Sequence, residues 1–129
     1  MTDKQSSLNV LVADDHFGSA HMTSDVLQFL GCSTRIAAGG EESIRIAVAE
    51  RPDVIFMDVR MPDLDGHAAA KRIKTLLPEV LIVAMSGSVI DKPQSVGDVV
   101  VFDALLQKPF TPTDVRGVLS SRGLRSGEQ

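Results

Sequence analysis

The chain has 129 residues, of which 43% are apolar and 23% charged, and thirteen basic against seventeen acidic side chains give a net charge of −4 with histidine neutral. That length suffices for one domain with a proper core, and the acidic balance argues against a nucleic-acid-binding face, which would show a basic patch. Cys32 is the only cysteine, so no intrachain disulfide forms, the start MTDKQSSLN lacks an apolar signal core, and the longest apolar runs are far too short to span a bilayer. The expectation is a small, acidic, cytoplasmic domain that contacts neither nucleic acid nor membrane.

In chain order, apolar runs of strand length alternate with segments of helical period. The first strand is predicted over 9–13 and ends in Asp14-Asp15. A helix follows over about 17–30, with Val26, Leu27 and Leu30 on one side and Gly31 as its stop. Residues 34–37 read as a second strand, and 41–51 as a helix with Ile44, Ala47 and Val48 inward, closed off by Pro52. The third strand, 54–57, runs straight into Asp58 and the loop DVRMPDLDG. An alanine-rich helix over 67–77 is stopped by Pro78, and a fourth strand spans 81–85.

Residues 87–103 are interrupted by Pro93 and Gly97, and the valines at 99–101 are poor helix material. A fourth helix is expected there on topological grounds alone. The stretch is also expected to be mobile, because weak local propensity lowers the cost of rearrangement. Residues 105–107 form a short fifth strand. TPTD then opens the last helix, with Thr111 as N-cap, Pro112 at the first helical position and Asp114 near the positive end of the dipole. Residues 1–7 and 123–129 are expected to be flexible, leaving one domain over 8–122.

Five βα units with continuous apolar strands argue for an α/β fold with a parallel sheet covered on both faces. Right-handed crossovers leave few topologies, and the doubly wound (βα)5 order 2-1-3-4-5, the flavodoxin-like arrangement, is the natural candidate. Ligands of such a sheet bind at the carboxyl ends of the strands, between the first and the third. Asp14 and Asp15 follow the first strand, Asp58 the third, Ser86 the fourth and Lys108 the fifth.

A charged carboxylate at the end of an apolar strand is costly unless compensated, and three carboxylates side by side raise one another's pKa. A hard divalent cation resolves this, and Mg²⁺ takes a couple of carboxylates plus waters and phosphate oxygens. Lys108 adds a compact positive charge. In such surroundings Asp58 is a competent nucleophile toward phosphorus. A carboxylate carries no proton to remove, and the Ser86 hydroxyl can hydrogen-bond a transferring oxygen.

With these residues assembled, the chain resembles the receiver domain of two-component response regulators, the CheY-like superfamily, over residues 8 to about 122. The matching stretches are VLVADD (10–15), VIFMDVRMPDLDG (54–66), VAMSG (83–87) and LLQKPF (105–110). The resemblance implies that Asp58 accepts a phosphoryl group from a histidine of a sensor histidine kinase or a histidine phosphotransfer protein. It implies Mg²⁺ at Asp15, Asp58 and the backbone carbonyl of Arg60, with Asp14 mostly through water. Ser86 and Lys108 then sense the phosphoryl group, and a cis bond precedes Pro109. The resemblance marks Leu105, Arg60, Ser88 and Pro109 as switch or tuning positions. Leu105 departs from the family, which usually has Tyr or Phe there, and Arg60 at the pocket mouth is placed to tune acyl-phosphate lifetime. Such domains commonly bind a downstream protein or form a homodimer through the face of the fourth helix, fifth strand and fifth helix.

Other residues read more plainly. Asp63 is a loop residue, and Asp65-Gly66 is turn and cap chemistry. His16, His21 and His67 lack metal-site spacing, His16 having at most a minor electrostatic role beside the acid pocket. Cys32 reads as a small buried hydrophobe, and Gly39-Gly40 form no phosphate loop. In VVVFDALL (99–106) a helical reading would expose at least one apolar side chain. The leading function is a stand-alone receiver that phosphorylates and dephosphorylates itself and is otherwise no enzyme. The alternative is a pseudo-receiver that binds without phosphorylation. A haloacid-dehalogenase-like phosphohydrolase is disfavoured because Arg60 stands where its second aspartate would be.

Overall fold

The computed structural model describes residues 7–87, 95–96 and 99–121. In chain order the elements are β1 (Asn9–Ala13), α1 (Phe17–Phe29), β2 (Ser33–Ala37), α2 (Gly40–Glu50), β3 (Val54–Asp58), α3 (Gly66–Leu76), β4 (Leu81–Ser86), the two-residue β5 (Ser95–Val96) and β6 (Val99–Val100), β7 (Ala104–Gln107) and α4 (Pro112–Ser121). Five strands form a parallel sheet in the order β2-β1-β3-β4-β7. This is the expected 2-1-3-4-5 order, with β7 as the sheet's fifth strand.

Successive strand side chains point to opposite faces, and a central parallel strand must be apolar on both. β3 is buried along its whole length. Ile55 and Met57 belong to the core with Ile44 and Ala47 of α2 and Ala69, Ala70 and Ile73 of α3. Val54 and Phe56 belong to the opposite one, with Ala20 and Leu27 of α1 and Val115 and Leu119 of α4. The register keeps the strand ends level, pairing Ala13 with Met57, Asp58 with Met85 and Ser86 with Gln107. The residues that follow Ala13, Met57, Met85 and Gln107 therefore stand together at one edge of the sheet.

The helix ends follow their sequence signals. Gly31 after α1 has φ 90°, where a residue with a Cβ would be strained. Arg51 after α2 is left-handed, since Pro52 bars it from continuing the helix. The Asp65 carboxylate caps α3 by accepting the Ala68 N–H at 2.8 Å. At α4, Thr111 Oγ1 accepts the Asp114 N–H at 3.2 Å and Asp114 Oδ2 accepts the Thr111 N–H at 2.9 Å. Asp114 therefore completes a reciprocal cap, a tighter role than its expected interaction with the dipole.

Two buried helix faces differ from the expected ones. α1 buries Ala20, Thr23, Ser24 and Leu27, with Val26 only half-buried. The hydroxyls tolerate this because they are partnered: Ser24 Oγ lies 2.7 Å from Thr34 Oγ1, and Thr23 Oγ1 donates to Met85 Sδ at 3.9 Å. On α2 the small residues Gly40, Ser43 and Ala47 sit at the centre of the buried stripe. That turns Ile46 inward and leaves Val48 exposed, the reverse of what apolar counting predicts.

Where a fourth helix was expected, the described residues 95–96 and 99–100 are extended instead, and most of the rest of that stretch lies outside the described residues. Ser95 pairs with Val100 and Val96 with Val99 in an antiparallel ladder. β-branched valines favour extended backbone, and Gly-Asp between two such runs is a hairpin signal in sequence. Val101 and Phe102 are buried, whereas Leu105 is exposed. Asp103 closes this region against β4, its Oδ2 accepting from Lys74 Nζ at 2.7 Å and from the Ile82 N–H at 2.8 Å. Ser88, the flexibility expected of the two ends, and most of the stretch expected to be mobile lie outside the described residues. Among the described residues no helix is long and apolar enough to cross a membrane.

Candidate functional site

The sheet brings Asp14, Asp15, Asp58, Ser86 and Lys108 to its carboxyl edge. Asp14, Asp58 and Ser86 are buried there. Lys108 enters from the end of β7, where its N–H donates to the Ser86 carbonyl at 2.7 Å and a cis bond links it to Pro109. Its Nζ lies 3.0 Å from Asp14 Oδ2, 2.9 Å from Ser19 Oγ and 3.7 Å from Asp58 Oδ2. The Arg60 N–H donates to Asp58 Oδ1 at 3.3 Å, and the His16 N–H to Asp14 Oδ1 at 2.9 Å.

These contacts set the two buried carboxyls apart. At Asp14 burial pushes the pKa up, but hydrogen bonds from the Ser19 hydroxyl, the His16 N–H and Lys108 outweigh it and leave the group below its ordinary value. At Asp58 burial dominates and raises the pKa to about 6. Lys108 and the Arg60 N–H pull it down, while Asp14 alongside pushes it further up. Asp14 thus has first claim on the ammonium, and Asp58 is left as the less compensated of the two.

The donor set fits a divalent cation. One ligand atom each from Asp14, Asp15, His16 and Asp58 lies within 4.8 Å of all the others. Asp15 Oδ1 is buried and has no hydrogen-bond partner, a costly state for a carboxylate oxygen that an ion would relieve. His16 belongs to this cluster, which its spacing from other histidines did not reveal; its position next to the Asp14-Asp15 pair was the available signal.

Of the residues singled out in sequence, Asp14, Asp15, Asp58 and Lys108 gather around one point, with Ser86 at the same edge. Arg60 is exposed at the mouth, and Leu105 is exposed on β7. Two supporting residues were missed. Ser19, one turn into α1, shares Lys108 with Asp14. Asp63, read as an ordinary loop residue, caps α2 across the loop, accepting the Gly40 N–H at 3.0 Å and the Glu41 N–H at 3.1 Å. Gly40 and Gly66 permit the close approach. A Cβ on Gly40 would collide with the Leu64 carbonyl, and one on Gly66 with the carbonyl of Asp58 itself.

Several solved structures share this fold. The Vibrio cholerae chemotaxis protein CheY4 superposes with a TM-score of 0.77 at 28% identity, over 89% of this chain and 98% of that one. The receiver domain of sensor histidine kinase PA1611 from Pseudomonas aeruginosa, solved with a magnesium ion in its active-site cleft, gives 0.79 at 25% identity over 89% and 96%. Among relatives, the autoinducer 1 sensor kinase/phosphatase LuxN of Vibrio campbellii is 34% identical over 115 residues, which are 89% of this chain but 13% of LuxN. Sporulation initiation phosphotransferase F of Bacillus subtilis is 27% identical over 83% of this chain and 86% of its own length. The chain therefore spans a small fraction of some relatives and most of others. The sequence model of the response regulator receiver domain matches residues 10–120, and with a CheY-like sheet and an acidic, lysine-bearing strand edge beneath that match, the chain belongs to the response regulator receiver domain family of two-component signalling.

Proposed function

We propose that the chain accepts a phosphoryl group on Asp58 from a phosphohistidine of a sensor histidine kinase or a histidine phosphotransfer protein, and so switches an interaction surface in a cytoplasmic phosphorelay. The observation that carries this reading is Lys108 Nζ lying 3.0 Å from Asp14 and 3.7 Å from Asp58, at the strand edge that also holds Asp15 and Ser86. Asp58 attacks phosphorus as a carboxylate: its P–O bond forms while the donor's P–N bond breaks, and the electron pair leaves on the imidazole nitrogen. Lys108 shifts from Asp14 and Ser19 toward the arriving phosphoryl oxygens, and the Ser86 hydroxyl donates to another of them. Asp15, Asp58 and the Arg60 carbonyl would hold Mg²⁺, with Asp14 through water, and the ion when bound offsets charge on the transferring oxygens.

The chain acts on no separate substrate; it catalyses its own phosphoryl transfer and dephosphorylation. The movement of Lys108 and Ser86 biases β7, which carries the exposed Leu105, and with it the face formed by β7, α4 and the segment preceding β7. A downstream protein or a second copy docks there. Intact-mass measurement after incubation with acetyl phosphate tests the reading. One added phosphoryl group is expected with Mg²⁺, and none with chelator or in Asp58→Asn. An unmodified wild-type chain that still binds Mg²⁺ overturns the reading in favour of a pseudo-receiver acting by contact alone.

A further inference from the structure

We propose that His16 is a nitrogen ligand of the ion held at this site, so that the site favours transition-metal divalent ions over Mg²⁺ by more than an all-oxygen site would. The inference rests on the metal site just proposed and adds a ligand to it. His16 is the N-cap residue of α1, with φ −91° and ψ 113°, and its N–H is fixed by Asp14 Oδ1 at 2.9 Å. The root of the imidazole is therefore held at the pocket rim by one of the site's own carboxylates.

From that root, His16 Nδ1 lies 3.5 Å from Asp15 Oδ1 and 3.7 Å from Asp14 Oδ1. Two ligand atoms on one octahedral ion of Mg²⁺ size are about 3.0 Å apart when adjacent and about 4.2 Å when opposite. Both separations lie between these two values, and the exposed His16 ring needs to move Nδ1 by only about half an ångström to take an adjacent position. A direct hydrogen bond would be shorter, and Asp15 Oδ1 has no hydrogen-bond partner. The spacing suits an ion shared by Nδ1, Asp15 and Asp58, with Asp14 reached through water, better than a direct contact between Nδ1 and Asp15. Asp58 supplies the fourth ligand atom of the cluster.

The chemical consequence is selectivity. Carboxylate, carbonyl and water ligands suit Mg²⁺, whereas imidazole suits Ni²⁺, Zn²⁺ and Cu²⁺. Exchanging one water for an imidazole strengthens binding of the latter ions and does little for Mg²⁺.

Calorimetric titration of the tag-free chain with Mg²⁺ and with Ni²⁺, repeated on His16→Gln and Asp15→Asn, tests the inference, together with pulsed electron paramagnetic resonance of the Mn²⁺-loaded chain. His16→Gln is expected to weaken Ni²⁺ binding about tenfold or more while Mg²⁺ affinity stays within about twofold. The Mn²⁺ spectrum is expected to carry a nitrogen coupling in wild type that His16→Gln removes. Equal weakening of both ions, or a wild-type Mn²⁺ spectrum without that coupling, overturns the inference and leaves an all-oxygen site. Failure of the wild-type chain to bind either ion saturably overturns it together with the metal site beneath it. Loss of both ions in Asp15→Asn, with wild-type binding intact, locates the binding at this pocket.

Discussion

Lys108 Nζ is shared between Asp14 and Asp58 unequally, 3.0 Å from the first and 3.7 Å from the second, although it follows Asp14 by 94 residues. The ammonium is a long-range clasp between the first and last strands of the sheet to be laid down. Lys108→Met removes it and leaves the Asp14 carboxylate buried without its cation. Losing one partner of a fully buried pair costs about 3–5 kcal/mol. The Lys108 side chain is 23% exposed, so water screens part of that, and a loss of about 1–3 kcal/mol is expected. Urea denaturation in chelator measures it. Mg²⁺ affinity is expected to rise in the same variant, because the ammonium no longer competes for the carboxylates.

Asp58 sets a pH dependence of opposite sign to that of an ordinary paired carboxylate. Its pKa is raised from 3.8 to about 6 in the fold, by burial first and against the pull of Lys108, so the folded chain holds this proton more tightly than the unfolded chain. The stabilisation is present at low pH and is lost as pH rises through about 6. Without metal, Asp58→Asn should melt at a higher temperature than wild type at pH 7, with the gap closing toward pH 4. Mg²⁺ should raise the wild-type melting temperature at pH 7 and leave that of Asp58→Asn nearly unmoved. A wild-type melting temperature independent of pH from 4 to 7, relative to the variant, would contradict the raised value.

Asp63 predicts the reverse. The N–H groups of Gly40 and Glu41 hold its carboxyl below the ordinary range. Its contribution is therefore present above the unfolded pKa and is lost as pH falls through the folded one. Asp63→Ala should lower the melting temperature at neutral pH, and the difference from wild type should vanish in strong acid. Because Asp63 lies in the loop that follows Asp58, the variant should also slow phosphorylation by acetyl phosphate. A variant that melts lower but is phosphorylated at the wild-type rate would restrict Asp63 to capping α2.

The sheet and its acidic edge were legible in sequence because each rests on local pattern. Strands 54–57 and 81–85 are unbroken apolar runs, Asp14 and Asp58 each stand immediately after such a run, and Lys108 follows the short predicted strand that begins Leu105-Leu106. Asp63 was illegible because its partners lie 22 and 23 residues away on another helix, and an aspartate in a loop carries no mark of which N–H it will meet. Ile46 and Val48 exchanged places because the small residues of α2, not its apolar ones, decided which side faces inward. The segment ending at β6 misled for a different reason. Topology called for a helix, while Val99 and Val100 paired across a sequence hairpin signal.

Gly66 and Gly117 make a matched pair for testing how closely α3 abuts the site. A Cβ on Gly66 would strike the carbonyl oxygen of Asp58 and approach Val59 Cα. Both are backbone, so α3 or the end of β3 must shift. Gly66→Ala should destabilise the chain by about 1–3 kcal/mol, the usual cost of overpacking, and displace Asp58 enough to slow its phosphorylation. Gly117 lies inside α4 with nothing within 4 Å of its hypothetical Cβ. Gly117→Ala should stabilise the chain by up to about 1 kcal/mol, as an exposed helical glycine allows, and leave phosphorylation unchanged. Parallel urea titrations and acetyl phosphate time courses on the two variants give the comparison. Equal stabilities would mean that the start of α3 yields to a methyl group, and the acceptor would then depend less on Gly66 than the contact implies.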